Sequence, residues 1–320
     1  MKSLYVADIR QFLGDRPISE GLFAVGGMEI RIAATGAPFL SLTLTDRTGT
    51  IQALLFDCDS IPTEYKIGDP VLVGGTFSRR YNNINLQQVT KYSGSLDRDD
   101  FIATSCRDID EMWVGLLQTI GSIKSSQLKD LLLGIFLDED IEKKFKIWPA
   151  AQEVHHPYIG GLLEHTLTVA RLCEQSGQLY KANMDLLLTG AFLHDIGKLQ
   201  ELDCDLTITY TDIGGLLRHS VLGCFFVRDC ISGIKDFPEL FRDCLLHIIA
   251  SHHGKSESGA MVEPMTLEAF LVYIADDTDA KANRYRTLID QQTASEQNIG
   301  ARDYFLGTRV YAPKVVEEDQ

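Results

Sequence analysis

Between Tyr92 and Ile109 the hydrophobic rhythm of this chain changes, and that change decides what each side of it can fold into. Up to Tyr92 apolar and polar residues alternate in short runs, "FAVGGMEIRIA", "FLSLTLTD", "IQALLFD", "PVLVGGTFS" and "NINLQQVTKY", separated by Gly, Pro, Asp and Asn. A period of two sends successive side chains to opposite faces of a strand, so these runs predict five short strands and a small closed barrel over residues 1–92. From Asp108 onward apolar residues recur three and four apart, as in "MWVGLLQTIGSI", "GGLLEHTLTVARLCEQ", "MDLLLTGAFLHDIG" and "TLEAFLVYIADD". That spacing predicts an all-helical bundle of about seven members over residues 109–310. The polar, weakly periodic stretch "SGSLDRDDFIATSCRD", residues 93–108, is expected to be the linker, and an acidic tail is expected over residues 311–320.

At 320 residues and 45% hydrophobic content there is material for two domains with cores of their own. No apolar run approaches the roughly 20 residues that span a bilayer. The opening "MKSLYVADIRQFLGD" lacks the basic start and apolar centre of a signal peptide, so a cytoplasmic protein without a membrane partner is expected. Seven cysteines, an odd number without a C-x-x-C pair, read as buried thiols in a reducing compartment. The formal net charge of -15 argues against a protein that grips nucleic acid through a bulk positive field, so any such contact must be local.

All eight histidines lie at or after His155. Two polar residues, His194 and Asp195, interrupt the apolar run "LLLTGAFLHDIGKLQEL", a costly placement unless they coordinate a cation. Neighbours on a helix point about 100° apart, so both reach one ion only near a helix end, which Gly197 is expected to supply. Further ligands are expected from other helices: His165 in "LLEHTLTVA", His219 in "LLRHSVLG", His252 and His253 in "IIASHHG", and Asp276 in "VYIADDTDAK". Imidazole with carboxylate suits one or two divalent ions, with manganese foremost and cobalt, iron, nickel, magnesium or zinc as alternatives. His247 reads as an ordinary helical histidine, and the pair His155 and His156 as a loop that either touches substrate or lies at the surface.

In order and spacing, "WPAAQEVHHPYIGGLLEHTLTVA", "LLLTGAFLHDIGKLQEL", "GLLRH" and "SHHGKSESGAMVEPMTLEAFLVYIADDTDAKAN" resemble the HD-domain metal-dependent phosphohydrolases, and more closely the YhaM-type 3′ to 5′ exoribonucleases. The resemblance implies an N-terminal OB-fold followed by a helical HD domain, with His165, His194, Asp195 and Asp276 as core metal ligands. His219, His252 and His253 occupy places where two-metal members have additional ligands. Two departures bear on the pocket and not on the ligands: Ser258 stands where an aromatic is expected, and Val272 where the family has a histidine.

A site of this type lowers the pKa of bound water and stabilises charge on phosphoryl oxygens, which makes phosphoester hydrolysis the expected reaction. With two ions, Asp195 would bridge them at a separation of about 3.5–4 Å. Lys198, after His194 on the same run, is expected to meet a phosphate oxygen or the leaving group, with an exposed lysine at a helix C-terminus as the plain alternative. Arg218, Lys281 and Arg284 are weaker phosphate candidates, and Asp277 and Asp279 are candidates for orienting the liganding histidines. In the β region, "FSRRYNNINLQQVTKY" carries Arg79, Arg80 and Lys91 without an acid, beside Phe77 and Tyr81. These five residues are the candidate contacts for single-stranded RNA, with single-stranded DNA as an alternative, through base stacking and a local positive groove.

The expected activity is therefore a metal-dependent 3′ to 5′ exoribonuclease in which the barrel holds a strand and the helical domain cleaves its end. Two competitors are an HD phosphohydrolase of nucleotides or cyclic dinucleotides, and a non-catalytic single-strand-binding regulator. "HHGKSESGAMVEP" lacks the Gly-Tyr-Pro signature of the cyclic-dinucleotide branch, and a full ligand set has no physical use in a mere binder. The oligomeric state is left open, with a homo-oligomer allowed.

Overall fold

A computed structural model describes residues 2–56, 64–293 and 298–313. Cys58 and residues 314–320 of the expected acidic tail lie outside the described residues. The chain divides into two compact units, one of residues 1–104 with 203–209, the other of residues 105–202 with 210–320.

The first unit opens with a short helix, α1 (Val6–Arg10), followed by β1 (Arg16–Ile32), β2 (Pro38–Asp46), β3 (Gly49–Leu55), β4 (Pro70–Ser78) and β5 (Asn83–Lys91). The strands close in the order β1-β2-β3-β5-β4, with β3 and β5 parallel and the other neighbours antiparallel, an OB-type arrangement. Alternation sets the interior: Leu40, Leu42 and Leu44 of β2, Ile51 and Ala53 of β3, Val71, Val73 and Phe77 of β4, and Ile84 and Leu86 of β5 share one core with Val6 and Ile9 of α1. Asp46 fastens α1 to the strands by accepting from the Val6 amide at 2.9 Å and pairing with the buried Lys2 ammonium at 3.2 Å.

The stretch expected as a linker is divided. Residues through Thr104 belong to the β unit, because Phe101 and Ile102 are buried, Asp97 caps a single 3-10 turn, and the Tyr5 hydroxyl donates to Asp100. Two buried apolar residues among acids leave no periodicity to read.

The second unit contains α2 (Ile109–Gly121), α3 (Ser126–Phe136), α4 (Glu139–Ile147), α5 (Gly161–Tyr180), α6 (Met184–Leu193), α7 (Lys198–Glu201), α8 (Asp212–Ser232), α9 (Glu239–Ser251) and α10 (Leu267–Thr293). The short strands β6 (Leu202–Cys204) and β7 (Ile208–Tyr210), between α7 and α8 in the chain, lie mostly within residues 203–209 of the first unit, and after α10 comes a hairpin of β8 (Ile299–Arg302) and β9 (Arg309–Tyr311). Side chains of Asp108, Ser125, Asp138, Asn183 and Thr211 accept from amides of the first turns of α2, α3, α4, α6 and α8, each ending an otherwise open set of donors. Apolar spacing does not announce α4, whose charged surface buries only Phe145, or the one-turn α7. Nor is the region all-helical as expected, since the hairpin completes it: Val310 and Ala312 are buried, and the Ala312 amide bonds to the Asn298 carbonyl. Every residue of α6 from Leu186 to Leu193 is buried, as a helix apolar all round requires. No helix among the described residues is long and apolar enough to cross a membrane.

Candidate metal centre

Helix α6 stops at Leu193, and His194, Asp195, Ile196 and Gly197 form tight turns before α7 begins. The Ile196 amide bonds to the Leu193 carbonyl and the Lys198 amide to the Asp195 carbonyl, so the chain turns without leaving the core. Gly197 is needed here for closeness and not for a left-handed cap: its φ is -64°, but a Cβ on it would lie 2.0 Å from the His219 carbonyl oxygen of α8. The helix thus ends where the sequence required, for a different reason than the expected glycine stop.

Four imidazoles converge on Asp195, each with one ring nitrogen already held. His165 (α5) has Nδ1 at 2.7 Å from Asp279 Oδ2, His194 has Nδ1 at 2.8 Å from the Ala191 carbonyl, and His252, after α9, has Nδ1 at 2.7 Å from the Ile249 carbonyl. His219 (α8) has Nδ1 at 2.8 Å from Glu201 Oε2, while its amide donates to Glu201 Oε1. With Nδ1 occupied, Nε2 is the free nitrogen in all four. Those Nε2 atoms fall into two pairs: His165 and His194 at 3.2 and 3.3 Å from Asp195 Oδ2, His219 and His252 at 3.5 and 3.6 Å from Oδ1.

Around the first pair lies Asp276 of α10, with Oδ1 3.2 Å from His165 Nε2; around the second lies His253, with Nε2 2.9 Å from His219 Nε2. His165, His194 and Asp276 make one set able to hold a cation, and His219, His252 and His253 a second. All seven sequence-derived ligand candidates are therefore together, with Asp195 between the two sets. The donor set fits divalent cations: neutral imidazoles and ionised carboxylates are the ligand types, and Asp195 Oδ1 is buried without a hydrogen-bond partner.

Electrostatics follow the same division. Burial opposes a charge on Asp195, yet Lys198 and His194 outweigh it and hold the carboxyl well below the usual carboxylate range. Burial likewise opposes protonation of His165, but hydrogen bonds to Asp195, Asp276 and Asp279 prevail and hold its pKa well above the ordinary value. Asp276 is depressed, burial being overcome by His165. In the second set, burial and the neighbouring histidines push His253 down to about 4 and His252 well down, so both are neutral and ready to ligate.

The remaining candidates divide. Asp279 does orient ligands, its Oδ2 lying 2.7 Å from both His165 Nδ1 and His156 Nε2, whereas Asp277 is spent on Lys281 at 2.7 Å. Glu201 was not singled out in the sequence, since nothing in "GKLQEL" marks it as the partner of His219. Lys198 is buried and lies 2.5 Å from Asp195 Oδ2, so the exposed-lysine alternative fails. Arg284 is engaged by Asp303 through Nε at 3.0 Å and Nη2 at 2.7 Å, which corrects its reading as a phosphate ligand. Exposed Arg218 rests over the Tyr210 ring, in a backbone conformation of φ 61° and ψ 158° that interrupts α8 just before His219.

In the β unit, Phe77 is corrected outright: it is fully buried in the core against Phe12 and offers no face to a base. Arg80 and Tyr81 lie exposed at the turn between β4 and β5, with the guanidinium over the ring. Arg79 donates to the Arg10 carbonyl at 2.9 Å, and Lys91 pairs with Asp69 at 2.7 Å. Pairing of Leu40 with Leu55 brings Phe39 beside Phe56, stacked at 4.7 Å on the outer face, with Phe56 exposed. Their positions at strand ends, in "PFLSL" and "LLFD", were the signal in the sequence.

A helical unit that gathers His and Asp ligands around a His-Asp pair defines an HD domain, and the HD domain model matches residues 162–281. Over a longer stretch the chain is 32% identical across 259 residues to the 3′-5′ exoribonuclease YhaM of Bacillus subtilis, covering 79% of this chain and 81% of that protein. YhaM of Listeria monocytogenes is 31% identical over 262 residues, with 78% and 81% covered, and YhaM of Bacillus pumilus 30% over 259, with 79% and 81%. The chain belongs to the YhaM 3′-5′ exoribonuclease family.

Proposed function

We propose that this protein is a divalent-metal-dependent 3′ to 5′ exoribonuclease acting on single-stranded RNA, with two ions held by the two ligand sets and manganese the first to test. One observation carries the reading: four imidazoles, each with Nδ1 satisfied, present Nε2 to the two oxygens of a single buried carboxylate. Divalent ions at such a site supply hydroxide near neutral pH and neutralise charge on phosphoryl oxygens. The chain's residues do the rest. Asp195 divides its oxygens between the sets, Asp279 and Glu201 fix the rings of His165 and His219, and the buried Lys198 ammonium places a positive charge beside Asp195. The pull of Asp195 and Asp276 on Lys198 exceeds its burial cost, so it stays charged for a phosphate oxygen or leaving group.

Strand binding is assigned to Arg79, Arg80 and Tyr81 at the β4–β5 turn, to Lys91 at the far end of β5, and to the Phe39 and Phe56 platform, since bases stack on aromatics whatever their sequence. Free thiols at all six described cysteines agree with a cytoplasmic setting.

The test is incubation with Mn²⁺ and 5′-labelled single-stranded RNA, alongside a His194→Ala/Asp195→Ala control. Stepwise shortening from the 3′ end, absent in the control, is expected. Intact RNA with hydrolysis of mononucleotides or cyclic dinucleotides would replace this reading with the small-molecule one, and retention of RNA without cleavage under several metals would leave a binding protein. Single-stranded DNA in parallel reports the polymer preference.

A further inference from the structure

Beside the ligand sets lies a histidine that neither uses. His155, in the loop before α5, has its ring 5.5 Å from that of His165, and both of its ring nitrogens are buried without a hydrogen-bond partner. A buried imidazole with nothing to donate to or accept from costs free energy, and its persistence beside a reaction centre points to a missing partner. The His155 ring also lies 6.3 Å from that of His156 and 6.4 Å from that of Phe305, the latter at 26° between planes.

Phe305 is held there by design of the hairpin and not by a core. Asp303, at the end of β8, is almost fully buried and binds Arg284 of α10 twice through Oδ2, while its Oδ1 accepts from the Leu306 amide at 2.8 Å. The Asp303 amide closes the turn on the Thr308 carbonyl at 2.8 Å. The turn so pinned carries Tyr304, fully exposed, and Phe305, 41% exposed. The turn thus holds an aromatic face open to a ligand next to the His155 ring. Arg284 lies eight residues beyond the ligand Asp276 on the same helix, so the hairpin and the metal centre share one support.

We propose that Phe305 and His155 form the subsite for the terminal nucleoside of the strand, Phe305 stacking on the base and His155 meeting a ribose hydroxyl. A hydroxyl can donate or accept, so it can pair with whichever ring nitrogen of His155 faces it, in either tautomer. The hydroxyl so bound is the 2′-hydroxyl, which a deoxyribose lacks, and this makes His155 the residue that separates RNA from DNA. The subsite rests on the exoribonuclease reading for its substrate, and the following measurements separate the two.

With full-length protein and Mn²⁺, cleavage is compared on RNAs ending in an intact nucleotide, an abasic one and a 2′-deoxynucleotide, for wild type, Phe305→Leu and His155→Phe. Wild type should lose about 10-fold in kcat/KM, mostly through KM, on the abasic end, as expected for one stacked base. Phe305→Leu should treat intact and abasic ends alike, and His155→Phe should treat ribose and deoxyribose alike while keeping the base effect. Discrimination unchanged in both variants would overturn the subsite. Independently of any cleavage, 2-aminopurine riboside 5′-monophosphate with Mg²⁺ should be quenched on binding wild type and not Phe305→Leu. Quenching without RNA cleavage would sink the exonuclease reading and keep the subsite; cleavage without quenching would do the reverse.

Discussion

At the scale of single residues, the centre is a set of charges that neutralise one another before any ion arrives. His165 shows this most directly, since three carboxylates raise its pKa against the cost of burial. In metal-free protein that proton favours the folded state fully below the unfolded value of about 6.5, and the gain is lost as pH rises through the higher folded value. A ligating nitrogen must be deprotonated, so an ion and this proton compete. Apparent metal affinity should therefore rise with pH through the neutral range, and loading near pH 7 should release about one proton, measured by calorimetry in buffers of different ionisation enthalpy. Heats that do not depend on the buffer would mean that His165 is already neutral. Glu201 acts one step back: Glu201→Gln should weaken the affinity by about 10- to 100-fold, as loss of an orienting carboxylate does, with the fold intact by circular dichroism.

Among elements, α8 bears the sharpest local cost. Arg218, at φ 61° and ψ 158°, occupies a region nearly reserved for glycine, at about 1–3 kcal/mol. In return the break lets both the amide and Nδ1 of His219 reach Glu201. Arg218→Gly should consequently raise unfolding free energy by about 1 kcal/mol without loss of metal affinity. A fall in stability would show that the stacking on Tyr210 outweighs the backbone cost. Nothing in "GLLRHSVLG" announces this break, because apolar spacing continues across it. What could be read were the candidate ligands that the fold brings together, each being a polar residue on an apolar helix. What could not be read were the partners that aim them, Glu201 and Asp279, or the burial of Phe77, since alternation marks a strand without telling which exposed-looking aromatic turns inward. Arg284 failed for a similar reason, its partner Asp303 lying 19 residues away in a hairpin too short to show a period.

For the whole molecule, the net charge of -15 sets the terms on which an anionic strand is met. Strand binding cannot draw on a general positive field, and the candidate cations are few: Arg79 and Arg80 at the β4–β5 turn, and Lys91, paired with Asp69, at the far end of β5. For a single strand the salt slope is about -0.7 per phosphate neutralised, so three cations predict a slope no steeper than about -2 in log K against log salt. Titration of a fluorescent RNA from low to high salt checks this; a much steeper slope would require a basic surface beyond Arg79, Arg80 and Lys91. The seven candidate ligands also bear on how the helical unit holds itself together, because they come from α5, the α6–α7 turn, α8, the end of α9 and α10. An ion there is a clasp joining parts of the chain up to 111 residues apart, from His165 to Asp276. Its removal would ease no single helix but the cooperativity among all of them, so a chelator should speed amide exchange across these helices together and leave the strands of the β unit as slow as before.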